Sequence, residues 1–333
     1  MKVHAYAAPS AGAALEPFEY ELGKMGPNDV DIEVTHCGIC HSDVHIVDNN
    51  WQATTYPSVP GHEVIGKVAA VGDLVTHLQV GQRVGVGWQK SACGHCPECV
   101  SGDSNLCSNS QATALGNYGG FADLVRTDAR FVFPIPDDLP SEHAAPLLCA
   151  GATVYSPLLS HGITGASHVG VIGIGGLGHL ALQFYRAWGC EVTAFSTSPD
   201  KEAEARQHGA HRFVVSTDPA QLEAAAGSLD LILNTIHHDL NWETYLGTLR
   251  TNGRLCFVGV PGEIKIQAFN LLGGQKGMTG SVIGSPATIA EMLEFAARHN
   301  IRAQIETYPM GKANEALDHV RSNKARYRVV LER

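Results

Sequence analysis

Residues 36–45, HCGICHSDVH, hold five side chains able to bind a transition metal: His36, Cys37, Cys40, His41 and His45. One tetrahedral site cannot use them all, so some serve other ends. Downstream, CGHCPECVSGDSNLC spaces Cys93, Cys96, Cys99 and Cys107 as C-x2-C-x2-C-x7-C, with Gly and Pro in the intervals. Four thiolates on one loop wrap a single zinc ion and leave no vacant position, so such a site shapes the loop and performs no reaction. An iron–sulfur cluster on the same thiolates is the alternative. His95 lies inside the array and is able to replace one sulfur, although four cysteines make it unnecessary.

A second pattern is spread along the chain. GICHSDVH, PGHEVIG (60–66) and PLLCAG (146–151) each present one ligand after a turn: Cys40, His62 and Cys149. Two thiolates and an imidazole leave the fourth tetrahedral position open, as a catalytic zinc requires. Taken alone, Cys149 in APLLCAGA reads as a small core residue, so the metal reading rests on the three segments together.

The third chemical signal is GIGGLG, residues 173–178, a G-x-G-x-x-G fingerprint on Gly173, Gly175 and Gly178 with Gly176 and Leu177 between. It follows an apolar, strand-like run and opens a helical stretch, the context in which such glycines bring backbone amides to a dinucleotide pyrophosphate. The end of the next strand selects the nicotinamide cofactor. An NAD site usually has Asp or Glu there to bind the ribose hydroxyls. Here the chain reads FSTSPDK, with Ser196, Thr197, Ser198 and Lys201. Three hydroxyls and an ammonium suit a 2′-phosphate, which a carboxylate would repel. Asp200 runs against this, or caps the following helix. The expected cofactor is NADP(H).

Residues 1–145 carry short β-rich runs separated by Gly, Pro, Asn and Asp, among them 29–38, 62–72 and 131–136. From 168 the pattern alternates strand-like runs (168–174, 191–196, 212–216, 229–235, 254–260) with helix-compatible sequence, which implies a parallel sheet covered on both faces. Near 285 it changes again. Ser285 and Pro286 suit an N-cap and first turn, with Ile289, Met292, Leu293 and Ala296 on one helical face. ARYRVVLER reads as a closing strand. The fold class expected is α/β: a doubly wound nucleotide-binding domain (149–285) inserted into a β-rich domain formed by 1–148 and 286–333.

The 333-residue chain is long enough for two domains, and its net charge of −10 argues against non-specific nucleic-acid binding. It contains no run of eighteen apolar residues, and its first ten residues lack the apolar core of a signal peptide, so the expectation is a cytoplasmic protein without a membrane span. Nine cysteines in such a compartment point to metal ligands or catalytic thiols.

Together, YPSVPGHEVIG, PLLCAGATVYSPL, VGVIGIGGLGHLA and KARYRVVL resemble the zinc-dependent medium-chain alcohol dehydrogenases over essentially the whole chain, and within them the cinnamyl-alcohol-dehydrogenase-like branch that includes bacterial NADPH-dependent aldehyde reductases. The resemblance implies a Rossmann-type domain inserted into a GroES-like catalytic domain. It also implies two zinc ions per chain and reversible hydride transfer between NADPH and an aldehyde or primary alcohol. It makes Cys40 the ligand of the opening stretch, Cys37 a buried thiol (a redox pair with Cys40 being the alternative) and His36 structural. His41 then lies near the cofactor pyrophosphate. Ser42 and His45 form a proton relay through the cofactor ribose, and Asp43 orients His62. Glu63 matches an acidic group able to approach the metal, a buried structural salt bridge being the alternative. Further cofactor contacts are implied at Thr153, Thr235, Val258, Gly259, Ser281, Gly284 and Arg328. Trp51 and Trp88 line the substrate pocket, or else fill core. The stretch 109–124 is short beside plant members. A homodimer pairing through a strand of the nucleotide domain is also implied. Competing readings are an NAD-dependent secondary-alcohol or polyol dehydrogenase and a non-catalytic NADPH-binding redox sensor.

Overall fold

The computed structural model describes all 333 residues, which divide into two compact units: Met1–Ala152 with Gly284–Arg333, and Thr153–Ile283. The division falls four residues after the expected 148/149 boundary and two before 285/286. The reason is local: Gly151 packs on Leu147 and on the Met292 sulfur, so the first turn of helix Ala150–Ser160 belongs with the first unit.

The first unit is built on a seven-stranded sheet whose hub is the long strand Asp29–Ile39. From Val30 to Gly38 it pairs antiparallel with Glu63–Val71 on one side; on the other, its C-terminal half pairs with Arg328–Glu332 and its N-terminal half with Leu124–Asp128. Residues with alternating or continuous burial, Val30, Ile32, Val34, Cys37 and Ile39, bring it into a core with Val64, Val68, Phe121 and Val329. The closing strand therefore returns to the first unit, with Val330 opposite Gly38 and Leu331 opposite Cys37. The expected strand at 131–136 shrinks to Phe133–Pro134. Asp128 caps a short 3-10 turn over Ala129–Phe131, and Pro134 and Pro136 have no N–H to continue a ladder.

The second unit holds a six-stranded parallel sheet in the order Arg212–Val215, Glu191–Ser196, His168–Ile172, Leu229–Asn234, Leu249–Phe257, Gly277–Gly280. Numbered by sequence this is 3-2-1-4-5-6, the doubly wound order. The fifth strand starts five residues earlier than expected, at Leu249, and ends at Phe257. It ends there because Val258 and Gly259 both turn their N–H groups onto the Asn234 carbonyl, at 3.0 and 2.9 Å. No helix of the chain is long and apolar enough to cross a membrane.

Helix Pro286–Arg298 buries Ile289, Met292, Leu293 and Ala296 on one face, and Ser285 Oγ accepts the Thr288 N–H at 3.2 Å. Ser285→Ala is expected to cost about 1 kcal/mol through loss of this cap, measured as a lower urea midpoint at unchanged slope.

Candidate active site

Helix His41–Val47 starts at Cys40, and its first turn is closed by an acid rather than by the cap residue's own side chain. Asp43 Oδ2 accepts the Cys40 N–H at 2.9 Å. The other oxygen, Oδ1, accepts the Gly61 N–H at 2.8 Å and binds His62 Nδ1 at 2.9 Å. Asp43 and His62 are both fully buried. A carboxylate has only acceptors, so Nδ1 carries the proton and the Nε2 lone pair is left to face a metal. Burial alone would lower the His62 pKa, but the charge of Asp43 and its hydrogen bond carry it well above the usual value.

Nε2 lies 3.3 Å from Cys149 Sγ, and Cys149 Sγ lies 4.0 Å from Cys40 Sγ. The ligand atoms of Cys40, His62, Glu63 and Cys149 all fall within 4.8 Å of one another. A tetrahedral zinc with bonds of about 2.0–2.3 Å gives ligand–ligand edges of about 3.5–3.8 Å, so the donor set fits one such ion. The Cys40 thiol is drawn well below the ordinary range, chiefly by its contact with Cys149, with His62 and Arg328 adding to the pull.

Glu63 completes the group. It opens strand Glu63–Val71 opposite Gly38, where a Cβ would overlap its carboxylate, so only glycine leaves it room. Oε1 accepts from Arg328 Nη2, while Oε2 and the Arg328 Nε are buried without a partner. An orphaned carboxylate oxygen beside two thiols and an imidazole is what a metal would satisfy. Burial pushes the Glu63 carboxyl up to about 7 despite the guanidinium. Arg328, expected near a cofactor pyrophosphate, is 4% exposed, and its guanidinium is joined to Glu63, a pairing that links the two ends of the first unit's sequence.

The remaining residues of the opening stretch separate cleanly. Cys37 lies in the core, with its sulfur against Gly61 and Gly120. His36 Nδ1 meets Thr35 Oγ1 at 2.9 Å. Ser42 Oγ is 3.6 Å from Cys40 Sγ. His45 sits on the same helix, with its ring 5.6 Å from that of His41, and its Nδ1 accepts from the Asn50 carboxamide at 2.9 Å. Sequence reasoning missed Asn50; its signal was an amide five residues beyond the histidine. Trp51 lies 5.2 Å from the His45 ring and 6.1 Å from Trp88, whose ring stands edge-on to His62 at 5.0 Å. The two tryptophans thus join His45 to the metal-binding imidazole.

The other cysteine set is equally compact. Cys93 Sγ lies 3.9 Å from Cys99 Sγ and 3.6 Å from Cys107 Sγ, and the four sulfurs including Cys96 lie within 4.8 Å of one another. These edges suit four thiolates around one ion and are too short to enclose a multi-iron cluster. His95 points Nδ1 at the Cys93 carbonyl, 2.9 Å away, rather than replacing a sulfur.

In the second unit, strand His168–Ile172 runs into Gly173 at φ +89°, and helix Gly178–Trp188 follows. A Cβ on Gly178 would overlap the Gly173 carbonyl, and one on Gly173 would strike Ile236 and Thr235, whereas one on Gly175 meets nothing. Gly175, followed by Gly176 and Leu177, thus leaves its own position in the turn open for a close ligand. Thr235 Oγ1 braces the turn through the Ile172 carbonyl at 2.8 Å. Ser196 ends its strand and accepts the Ser198 N–H at 3.1 Å; Thr197 is exposed, and Lys201 Nζ donates to the Ile174 carbonyl at 2.9 Å. Lys201 thus reaches the glycine turn from the segment that carries the Ser196, Thr197 and Ser198 hydroxyls. Val258 and Gly259 end the fifth strand and Ser281 follows the sixth; Thr153 lies in helix Ala150–Ser160. Gly284 packs on Thr288 in the first unit.

Residues 26–137 match the alcohol dehydrogenase GroES-like domain and residues 176–298 the zinc-binding dehydrogenase domain. An aldehyde reductase, AdhA, of Synechocystis sp. is 47% identical over 99% of this chain and 98% of its own length. The structure of a cinnamyl alcohol dehydrogenase from Sorghum bicolor superposes with a TM-score of 0.95 at 39% identity, covering 100% of this chain and 98% of that one. A cinnamyl alcohol dehydrogenase from Helicobacter pylori, in complex with NADP(H), superposes at 0.91 with 32% identity, covering 100% and 98%.

Asp43→Ala frees His62 and the Cys40 amide together. It is expected to weaken zinc retention at the first cluster by about 10–100-fold, measured by chelator competition, while the second cluster keeps its metal. Cys107→Ser should do the reverse, releasing the second metal and lowering the melting temperature.

Proposed function

This chain belongs to the zinc-binding dehydrogenases with an alcohol dehydrogenase GroES-like domain, and we propose that it is an NADPH-dependent aldehyde reductase forming primary alcohols. The observation that carries the reading is the buried cluster of Cys40, His62 and Cys149, with Glu63 beside it holding one uncommitted oxygen. Three strong ligands and a carboxylate able to withdraw to Arg328 leave a coordination place for substrate. In this proposal Cys40, His62, Cys149 and at times Glu63 hold one zinc, and Cys93, Cys96, Cys99 and Cys107 hold a second.

Held by Cys40, His62, Cys149 and Glu63, a zinc ion would supply Lewis-acid polarisation of a carbonyl oxygen, and NADPH would supply the hydride. The protein's own part is positioning and proton movement. Asp43 holds the His62 Nδ1 proton, so the imidazole binds metal through Nε2 alone. The Ser42 hydroxyl, next to Cys40, hydrogen-bonds the substrate oxygen. His45 moves the proton; because Asn50 donates to its Nδ1, the neutral ring keeps its own proton on Nε2. Trp51 and Trp88, packed edge to face beside His62, offer apolar surface suited to aromatic or chain-like aldehydes.

The NADPH preference rests on Ser196, Thr197, Ser198 and Lys201 beside the glycine turn and on the missing acid at the strand end. Thr153, Thr235, Val258, Gly259, Ser281, Gly284, His41 and Arg328 are proposed as further cofactor contacts. Ser42 and His45 would relay the proton through the cofactor ribose. A homodimer is also proposed: strand Gly277–Gly280 is a sheet edge, and Phe269 and Leu272 nearby in sequence are 77% and 74% exposed. Light scattering should give about twice the 35.4 kDa chain mass.

Initial rates with benzaldehyde and a linear aldehyde on the zinc-loaded protein test the reading. Fast turnover with NADPH and slow turnover with NADH is expected; turnover with NADH alone discards the phosphate site, and turnover with neither discards the reductase. Ser196→Asp should raise KM for NADPH by roughly tenfold or more through charge repulsion and leave KM for NADH little changed.

A further inference from the structure

A cavity of about 350 Å³ opens in the first unit, and none of the metal-donor residues lines it. That is the small end of the ligand-pocket range. Its walls come from well-separated stretches of chain and include Tyr20, Tyr56, Lys90, Asn117, Tyr118 and Arg126. Two features give it a chemical character.

The first is charge. Arg126 is already neutralised: Nε and Nη2 donate to the two oxygens of Asp31 at 2.6 and 2.8 Å, and Nη1 donates to the Gly23 carbonyl at 2.7 Å. Lys90 is not. It is half-buried, and its ammonium donates to Asn117 Oδ1 at 3.1 Å, a neutral acceptor. The Asn117 carboxamide is itself anchored, with Nδ2 on the Ala112 carbonyl at 3.0 Å, so the ammonium is held in place. Asp29 is the acid that acts on it electrostatically, but no carboxylate lies within ion-pair distance, and an Asp29 oxygen is taken by the Gly26 N–H at 2.7 Å. Burial accordingly holds the ammonium below the usual lysine range. A half-buried cation whose protein acceptor is a neutral carboxamide has its charge unbalanced by the protein, and an anion would balance it.

The second feature is shape. The rings of Tyr20 and Tyr118 lie 4.4 Å apart at 47°, both partly exposed, and Phe18 packs behind them at 6.0 and 5.4 Å. They form an aromatic wall beside the ammonium, suited to a flat ring. One uncompensated positive charge matches a monoanion, whereas a phosphate dianion would bring an excess negative charge into a site with no second free cation.

We propose that this cavity binds a small aromatic carboxylate, its anion on Lys90 and its ring against Tyr20 and Tyr118. The site is independent of the hydride-transfer reading, since a protein without reductase activity would bind the same ligand through Lys90.

Calorimetric titration of the zinc-loaded full chain with benzoate tests it, with cyclohexanecarboxylate and inorganic phosphate as comparators. Benzoate should bind more tightly than either. Lys90→Gln should weaken it by about tenfold or more, while Lys90→Arg stays within about threefold. Benzoate held at a metal would not respond to Lys90, so equal affinity in wild type and Lys90→Gln overturns the proposal, as does phosphate binding as tightly as benzoate or no benzoate binding at all. Should Lys90→Gln melt below wild type, Tyr118→Leu decides instead: it should abolish the preference for benzoate over cyclohexanecarboxylate, and an unchanged preference overturns the aromatic wall.

Discussion

The carboxylate of Asp43 is the constraint on which the first unit's chemistry depends. One buried group receives the amide of Cys40, the amide of Gly61 and the Nδ1 proton of His62. It thereby ties the start of a helix to the loop ahead of the strand Glu63–Val71, eighteen to nineteen residues apart in sequence. A carboxylate that accepts from these three donors offers His62 only acceptors, and so selects the imidazole tautomer that leaves Nε2 free. Ligand position and ligand protonation are thus decided by one group. The same acid explains why Ser42 and His45, on the first and second turns of that helix, are carried along with Cys40.

Glu63 shows how strand register extends the site. Gly38 stands opposite it on the hub strand, and Val330 of the closing strand stands opposite Gly38 from the other side. Three strands in register therefore bring Arg328 to Glu63 across 265 residues of sequence. A buried ion pair of this kind adds little net stability, because desolvation offsets the attraction. Its consequence is chemical: the carboxylate is shared between a guanidinium and the metal cluster, and one of its oxygens is left without a protein partner.

The two cysteine groups are donor sets of opposite kinds, one closed and one with room for a further ligand. Cys93, Cys96, Cys99 and Cys107 lie within fifteen residues, and with Ala92 and Phe131 they form their own small cluster. All four donors are cysteine sulfurs, so a metal bound there would act as a staple for a loop with little core of its own. The other group draws its ligands from three distant segments and presents them to a partly polar surrounding. Local spacing builds the first, and folding assembles the second.

Much of this was legible in the sequence because it rests on local chemistry. The C-x2-C-x2-C-x7-C spacing, the G-x-G-x-x-G turn after an apolar run, the Ser285 cap with its four-residue apolar face and the alternation of strands with helices are all set by neighbours within about one turn or one strand. The hydroxyls of FSTSPDK in place of an acid belong to the same class. What the tertiary structure decided is which groups share a proton or a charge. Only the fold commits Arg328 to Glu63, sets Asn50 on His45, puts Cys37 in the core between Gly61 and Gly120, and lines Trp51 and Trp88 up with His62. It also ends strands where sequence alone would continue them, at Phe257 and in the Pro-broken run after Phe131. The physical reason is common to all of these: spacing along the chain specifies backbone conformation, whereas the partner of a buried polar atom is determined by strand register and packing between residues that the sequence holds far apart.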